Sequence, residues 1–564
     1  KITSKEMLKP EEHSPNAHHR NDPHQATDRT FFIDASSQSL TAIPSEILAL
    51  KELEEIHLEN NQIEEIPPDI QHLKNVKILY LNKNNLRRLC PELGTLSNLE
   101  GLDLSSNPLV TSSLPVISCL RTLRELRLYD TGLKDIPAVM CKTLHHLQLL
   151  GLTKNHLQSL PREIVNQTKL REIYLKQNEF QVFPQELCVL YNLEIIDLDE
   201  NKVKVIPEEI GNLTRLQKFY VAYNCLSFLP ELLSQCSKLS VLDLSHNLLH
   251  SIPRTLEALT EMTEVGLSGN RLEKVPRPVC KWTSLHLLYL RDTRLHALRR
   301  SLKRLVNLRY LDLSQNHLDQ VPPLLCTLKN LEILALDDNK IGQLPSELSA
   351  LSKLKILGLT GNEFASFPEE VFALESLEKL YIGQDQGSKL TCVPENIGKL
   401  QNLKELYIEN NHLEYLPESL GSMPNLEVLD CRHNLLKQLP DTICQAQGLK
   451  ELLLEDNLLK KIPEDLDCLV KLKVLTLTGN PMEDPPMKVC AEGNEAIWEY
   501  LKEKKAMKRM AVKLQSWWRG LMVWKGLGKF EELLKVRKKV KTSLKDKKGK
   551  NPEKAKQPVK GKKK

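Results

Sequence analysis

Side chains capable of nucleophilic or metal chemistry are numerous, but they do not fall into catalytic patterns. The sequence has 13 cysteines and 16 histidines, and no two cysteines form a CxxC pair. Four histidines cluster near the start of the chain, in a polar segment that gives them no fixed geometry: His13, His18, His19 and His24. The sequence contains no GxxxxGK(S/T) loop, HExxH motif or nucleophile elbow, and no GxGxxG after a strand. We therefore predict no enzymatic activity, no cofactor and no metal site.

A second chemistry, recognition by bulky apolar and basic groups, is concentrated near the C-terminus. Four of the five tryptophans follow residue 497. Apolar residues recur every three or four positions, which predicts a stripe along one side of a helix: Met507, Met510, Leu514, Trp517, Leu521 and Trp524. Positive charges surround the stripe: Lys508, Arg509, Lys513, Arg519 and Lys525. A basic amphipathic helix with large anchors suits the methionine-lined groove of an EF-hand sensor.

Within this stretch, residues 514–520 read LQSWWRG and resemble the calmodulin-binding IQ pattern (I/L/V)QxxxRG. The resemblance implies that Leu514 anchors in one lobe, that Gln515 and Arg519 make polar contacts and that Gly520 permits close approach. The second half of the motif departs, because Trp524 stands where a basic residue is expected. The predicted calmodulin-binding residues are Leu514, Gln515, Trp517, Trp518, Arg519, Gly520, Trp524, Lys525 and Leu527. The alternative is that the stripe packs against the preceding domain as a cap.

The rest of the chain is dominated by an internal repeat. Residues 170–184 and 193–207 both obey LxxLxLxxNxLxxLP. The Asn column recurs twenty times between Gln38 and Asn480, and sixteen of the nineteen intervals are 23 residues. Sixteen of the twenty positions in this column hold Asn, and the exceptions are Gln38, Thr131, Thr293 and Asp385. Six cysteines share one slot of the repeat, as small buried hydrophobes do: Cys141, Cys188, Cys280, Cys326, Cys444 and Cys490.

This repeat resembles the intracellular Ras-group type of leucine-rich repeat. It implies an α/β fold, a horseshoe-shaped solenoid with a parallel sheet on its concave face, followed by a C-terminal helical tail. In each strand the alternating leucines should point inward, and a buried Asn should satisfy backbone groups at the next turn. Pro and acidic residues should then begin a short helical turn on the outer side. The predicted domains are a disordered segment 1–29, the solenoid 30–490, a capping and IQ-motif helix 491–527, a short basic helix 528–540 and a disordered polylysine tail 541–564.

The residue between the two strand leucines should face the concave side and form a stripe of tyrosines and acids. We predict that the stripe binds a protein partner with basic groups: Tyr80, Asp103, Arg127, Tyr174, Asp197, Tyr220, Asp243, Tyr289, Asp312, Tyr381, Tyr407 and Asp430. The alternative is that the triplets LDL and LYL are simply common in such repeats and carry no binding function. One insertion, at residues 384–389, interrupts the period and is either neutral or a ligand-binding loop.

Charge divides the chain into an acidic body and a basic tail. From Leu501 to the end there are 24 Lys/Arg and 5 Asp/Glu, a net of +19, so the preceding 500 residues carry −14 of the total of +5. The tail 541–564 could bind acidic surfaces such as microtubules, or only confer solubility. It has no aromatic residue, so we predict no specific nucleic-acid partner. The polar start of the chain and the absence of a long apolar run predict a cytoplasmic location without a transmembrane segment.

A solenoid followed by an IQ element resembles the leucine-rich repeat and IQ domain-containing proteins. The resemblance implies a non-enzymatic scaffold, with calmodulin or a calmodulin-like light chain on the helix and an unidentified protein on the concave face, in signal transduction. The alternative hypothesis is a structural component of the cytoskeleton or the ciliary axoneme, with the basic tail on microtubules.

Overall fold

The computed structural model describes residues 30–525 and shows one curved parallel sheet of twenty short strands. Each strand pairs with the next strand along the chain, at an offset of one repeat; Ile78, for example, lies opposite Gly101. The predicted solenoid is therefore confirmed. The predicted segments 1–29, 528–540 and 541–564, together with Leu527, lie outside the described residues.

The strands are three residues long, and each covers the first apolar residue of the LxL motif together with the residue on either side of it. They are β1 (Phe32–Asp34), β2 (Glu55–His57), β3 (Ile78–Tyr80), β4 (Gly101–Asp103), β5 (Glu125–Arg127), β6 (Leu149–Gly151), β7 (Glu172–Tyr174), β8 (Ile195–Asp197), β9 (Lys218–Tyr220), β10 (Val241–Asp243), β11 (Glu264–Gly266), β12 (Leu287–Tyr289), β13 (Tyr310–Asp312), β14 (Ile333–Ala335), β15 (Ile356–Gly358), β16 (Lys379–Tyr381), β17 (Glu405–Tyr407), β18 (Val428–Asp430), β19 (Glu451–Leu453) and β20 (Val474–Thr476).

The return segments form short helical turns on the side opposite the sheet. Most are 3-10 turns that follow a proline, whose fixed φ suits the start of a helix. They are Pro68–His72, Pro91–Thr95, Thr111–Cys119, Arg162–Asn166, Gln185–Val189, Glu208–Asn212, Glu231–Gln235, Arg254–Ala258, Arg277–Lys281, Arg300–Arg304, Pro323–Thr327, Ser346–Ala350, Glu369–Ala373, Glu395–Lys399, Glu418–Ser422, Asp441–Gln445 and Leu466–Cys468. The α-helices are α1 (Ser45–Leu48), α2 (Ala138–Thr143), α3 (Met487–Ala491) and α4 (Asn494–Lys525).

The leucine columns fill the space between the sheet and the outer turns. In β3 and the residue after it, Leu79 and Leu81 are completely buried, and the corresponding side chains of the other repeats continue the same core. No single repeat can bury these side chains alone, so the stacking of neighbours stabilises the fold. Trp282 takes one leucine position and stays buried, because its indole N–H donates to the Leu256 carbonyl oxygen (2.9 Å).

The Asn column forms the predicted ladder between repeats. In Asn201, the side-chain nitrogen donates to the carbonyl oxygens of Leu175 in the preceding repeat (2.9 Å) and Leu198 (3.1 Å). Its side-chain oxygen accepts the Phe180 N–H (3.1 Å). The residue before it, Glu200, has a φ of +55°, a left-handed conformation that costs about 1 kcal/mol for a non-glycine residue. The side-chain hydrogen bonds of each Asn help to offset that cost.

The sixteenth repeat departs from the expected column. Asp385 occupies the Asn position in the sequence but is exposed, whereas the neighbouring Gln384 is completely buried. Asp385 instead accepts a hydrogen bond from the Asn410 side chain (3.0 Å). The prediction that Asp385 fills the column is therefore wrong, because the three-residue insertion shifts the backbone and turns Gln384 inward.

Candidate protein-interaction surfaces

The twelve residues of the predicted concave stripe lie in one row, at the third position of their strands. Tyr174 pairs with Asp197, and Asp197 pairs with Tyr220, in unbroken register. The row is, however, mostly closed. Ten of the twelve side chains are buried, Asp312 completely, and only Tyr381 and Tyr407 are half-buried. Strand curvature brings neighbouring side chains into contact, so the row is a packed layer rather than an open surface.

Several polar members of the row have partners within the sheet. Arg291 donates to Asp312 (3.3 Å), and Arg432 donates to Asp430 (2.8 Å). Arg127 pairs with Glu125 at 3.1 Å. These acids and bases are thus partly committed to contacts between and within repeats.

The open concave residues are those at the first strand position, a column that the sequence reasoning missed. Six of the twenty strands begin with a half-buried glutamate: Glu55, Glu125, Glu172, Glu264, Glu405 and Glu451. Only two begin with lysine, Lys218 and Lys379. The signal was present in the sequence, since this residue precedes the first strand leucine and faces the same side as the third position.

Burial, reinforced by neighbouring carboxylates, raises the pKa values of two acids on this face. Burial, together with the neighbouring Asp197 and Asp243, raises the pKa of Asp199 well above its ordinary value. Burial also raises the pKa of Asp337 to about 7. One oxygen of Asp337 accepts the Thr360 N–H (2.9 Å), while the other is buried without a hydrogen-bond partner in the described structure. Burial is therefore the main cause of both shifts, and a positive charge placed beside either carboxyl would favour its ionised form.

The predicted capping helix and IQ-motif helix are one continuous helix, α4. Its first turns pack on the last repeat, where Ile497 and Leu501 are buried. The Tyr500 hydroxyl donates to Asp484 (2.9 Å), and Lys504 pairs with the same carboxylate. We call these contacts, together with the ion pairs of Lys505 and Lys508, the helix clamp.

Two more lysines of α4 complete the helix clamp. Lys505 pairs with Asp467 and with Asp465 (3.5 Å), and Lys508 pairs with Glu464. The hydrogen bond from Lys508 lowers the pKa of Glu464. Asp465, Asp467 and Cys468 also place ligand atoms within 4.8 Å of one another. The two carboxylates already receive the Lys505 ammonium group, so their arrangement is explained without a metal ion.

Beyond Lys508 the helix extends away from the solenoid for 17 residues, about 25 Å at 1.5 Å per residue. The predicted apolar stripe begins one residue earlier and is exposed: 68% for Met507, 62% for Met510, 64% for Leu514, 62% for Trp517 and 68% for Trp524. Trp518, Gln515, Arg519, Gly520 and Lys525 are also exposed, and Leu521 is half-buried. The alternative that the stripe caps the last repeat is not supported by this placement.

The stripe and the helix clamp occupy different sides of α4. At 100° per residue, Ile497, Leu501 and Lys508 share one face, and Leu514 and Trp517 lie on the opposite face. A protein could thus contact the stripe while the clamp stays closed. Among residues 30–525, no helix has both the length and the apolar character needed to cross a membrane.

Comparison with known families identifies the repeats. The model described as "Leucine-rich repeat region" matches residues 104–247 and 296–413, and the model described as "Leucine rich repeat" matches residues 74–133, 260–318 and 424–482. The chain belongs to the leucine-rich-repeat proteins. Solved structures agree: a Leptospira interrogans LRR protein is 27% identical, with a TM-score of 0.52 over 78% of this chain and 95% of its own. The plant peptide hormone receptor RGFR1, solved in complex with RGF2, is 28% identical, with a TM-score of 0.56 over 80% of this chain and 78% of its own.

Closer relatives carry both elements in their name. Leucine-rich repeat and IQ domain-containing protein 4 of Mus musculus is 70% identical over 191 residues, which are 34% of this chain and 32% of the relative. The Homo sapiens protein of the same name is 73% identical over 184 residues, 33% of each chain. The matched segments span about a third of the relatives' length. The expected resemblance to this family, most like its fourth member, is therefore confirmed over that third.

Proposed function

We propose that this leucine-rich-repeat protein is a non-enzymatic scaffold in cytoplasmic signal transduction, and that the exposed part of α4 binds calmodulin or a related EF-hand protein. The observation that carries this proposal is the exposure of five large apolar side chains, each more than 60% exposed, along one face of a helix fixed to the solenoid. Contiguous exposed apolar surface is unfavourable in water and commonly marks an interaction site.

The chemistry of the stripe favours an EF-hand partner over other helix-binding proteins. Methionine and tryptophan anchors separated by three or four residues fit a flexible, methionine-lined groove. Basic groups such as Lys513 and Lys525 flank the stripe and are exposed, which suits the acidic rim of such a sensor. The similarity to proteins named for an IQ domain supports the same assignment.

Calorimetry with the full chain and purified calmodulin, with calcium and with a chelator, tests the proposal. We expect Leu514→Asp combined with Trp517→Asp to abolish binding, because both anchors enter the groove. Val512→Asp is the matched control: Val512 is 63% exposed on the same helix but lies on the opposite face from the stripe. Absence of wild-type binding under both conditions would refute the proposal, as would equal loss in the control.

We further propose that the concave face binds a basic segment of a partner protein. The contacts are made by the glutamates at the first strand position rather than by the row at the third position. Charge reversal at Asp197, which is 2% exposed, would disturb packing as well as binding. Glu172→Lys with Glu264→Lys changes half-buried positions instead. Affinity capture should lose the concave partner in this variant and retain it in Glu65→Lys with Glu179→Lys, the control. Proximity labelling in ciliated and non-ciliated cells would identify the partner.

The alternative, a cytoskeletal or axonemal component, rests on the charge of the tail. Residues 541–564 are rich in lysine, and microtubules present acidic surfaces. Co-sedimentation of the full chain and of a chain ending at residue 540 separates the two hypotheses. Binding that requires the tail and persists when Leu514 and Trp517 are changed would favour the structural role.

A further inference from the structure

One region of the solenoid reverses the charge of the rest. Residues 271–309 contain eleven Lys/Arg and two Asp/Glu, a net of +9, whereas the first 500 residues together carry −14. The segment spans strands β12 and part of the repeats on either side, so its excess charge is confined to a few adjacent repeats.

Most of these cations are unpaired. Nine of the eleven are exposed, and within the described chain they form no ion pair or side-chain hydrogen bond: Arg271, Lys274, Arg277, Lys281, Arg294, Arg300, Lys303, Arg304 and Arg309. We call these nine residues the basic patch. Elsewhere the exposed lysines often pair with a glutamate of the preceding repeat, as Lys77 does with Glu54 and Lys437 with Glu414.

Five members of the basic patch lie in two outer turns, away from the sheet: Arg277, Lys281, Arg300, Lys303 and Arg304. Arg277 and Arg300 begin consecutive 3-10 turns, and Lys281 and Arg304 end the same turns. The repeat therefore aligns two pairs of like charges side by side. Such an arrangement is electrostatically unfavourable for folding and favourable for capturing an anion.

A cleft of about 780 Å³ opens beside the patch. Arg300, Lys303 and His296 lie along it with Asp319, and the remaining wall is largely apolar, formed by Leu298, Pro322, Pro323 and Leu324 among others. The apolar wall distinguishes between anionic ligands. A phosphate group or a lipid headgroup would leave this wall without an apolar partner. An acidic peptide with an aliphatic side chain satisfies both halves of the cleft.

We propose that the basic patch and its cleft form a binding site for an acidic, leucine-containing segment of a partner protein. Carboxylates of the segment pair with Arg277, Arg300 and Lys303, and an aliphatic side chain contacts Pro322 and Leu324. The site lies on the opposite side of the solenoid from the concave face and apart from α4, so it is independent of both surfaces proposed above.

Fluorescence anisotropy with the full chain tests the site. The probe is a labelled 12-residue peptide of glutamates with two leucines, measured at low and high salt. Arg277→Glu, Arg300→Glu and Lys303→Glu are combined in one variant; Lys51→Glu, Lys74→Glu and Lys204→Glu make the same charge change at exposed lysines elsewhere. We expect roughly a tenfold or greater loss of affinity in the patch variant and little change in the control.

Two further measurements separate the patch from the basic tail and from other anions. A photoreactive form of the peptide should crosslink within residues 271–329, and crosslinks confined to residues 526–564 would overturn the proposal. Equal loss of affinity in both triple variants would also overturn it, as would tighter patch-dependent binding of duplex DNA or phosphatidylserine vesicles than of the peptide. Thermal melts should show both variants folded, since no ion pair is broken.

Discussion

Tyr381 and Tyr407 stack face to face, with ring centroids 4.5 Å apart and ring planes within 1° of parallel. They belong to β16 and β17, the neighbouring strands on either side of the insertion, and their strands stay in register. The insertion therefore leaves the sheet intact and is absorbed by the loop at residues 384–389, where the backbone of Gly387 has a φ of +97°.

We expect the tyrosine pair to stabilise the junction between these two repeats. Tyr381→Ala and Tyr407→Ala should each lower the free energy of unfolding. The double variant should lose about 1 kcal/mol less than the sum of the two single losses, because the rings stabilise each other. Chemical denaturation of the two single variants and the double variant measures this coupling. Additive effects would show that the stacked rings contribute burial only.

The Asn ladder predicts that substitutions at positions 201 and 385, which are equivalent in the repeat, have different effects on the free energy of unfolding. Asn201→Ala leaves the Phe180 N–H without an acceptor and leaves the Leu175 carbonyl oxygen with the Asn178 side chain as its remaining side-chain donor, which should cost about 3 kcal/mol. Asp385→Asn should change stability little, because position 385 is exposed. Hydrogen exchange, read at the amides of the seventh and eighth repeats, localises the first effect. Protection there that equals the wild type would contradict the ladder's role.

The period of the sequence was enough to predict the sheet, the leucine core and the Asn ladder. Leu79 and Leu81 had to be buried because each repeat has only one apolar face. The closure of the third-position row was not predictable, since the burial of Tyr220 or Asp312 depends on how tightly adjacent strands curve. That Gln384 rather than Asp385 is buried in the sixteenth repeat was not predictable either, because packing and not residue spacing determines the backbone path of an insertion.

The helix clamp also escaped sequence reasoning. Lys504 and Asp484 are twenty residues apart, and their contact depends on the direction in which α4 leaves the last repeat. The amphipathic stripe from Met507 to Trp524 was predicted correctly from its spacing, but its exposure could only be seen once the capping residues Ile497 and Leu501 were placed.

Asp337 should make stability depend on pH in the neutral range. Its pKa is raised to about 7 in the folded chain from about 3.9 when unfolded, so between these values the folded state holds a proton that the unfolded state releases. Stability should therefore fall as pH rises from about 4 to 7, by an amount on the order of a few kcal/mol. Asp337→Asn should remove this component and be more stable than the wild type at pH 8, because Asn still accepts the Thr360 N–H.

Thermal melts of wild type and Asp337→Asn between pH 5 and pH 8 check the sign. Asp135→Asn, at an exposed position, is the control and should track the wild type. If Asp337→Asn were less stable than the wild type at pH 8, the carboxylate would have to be ionised and paired there.

The helix clamp should fail in acid and when its carboxylates are neutralised. Burial alone would raise the pKa of Asp484, but hydrogen bonds from Lys504 and Tyr500 overcome it and hold the pKa below its ordinary value. The pKa of Glu464 is lowered as well, by Lys508. Groups with lowered pKa values stabilise the folded state above the ordinary carboxyl range, and that contribution is lost as pH falls through the lowered values.

Limited trypsin digestion at neutral pH measures the clamp directly, since Lys504, Lys505 and Lys508 are themselves cleavage sites. Glu464→Gln combined with Asp484→Asn should speed cleavage at these lysines severalfold, because the first turns of α4 then leave the last repeat more often. Glu499→Gln, on the same helix at an exposed position, should cleave as the wild type does. If the double variant were cut no faster, the burial of Ile497 and Leu501 alone would hold the helix, and the lysines would serve the partner of the exposed stripe instead.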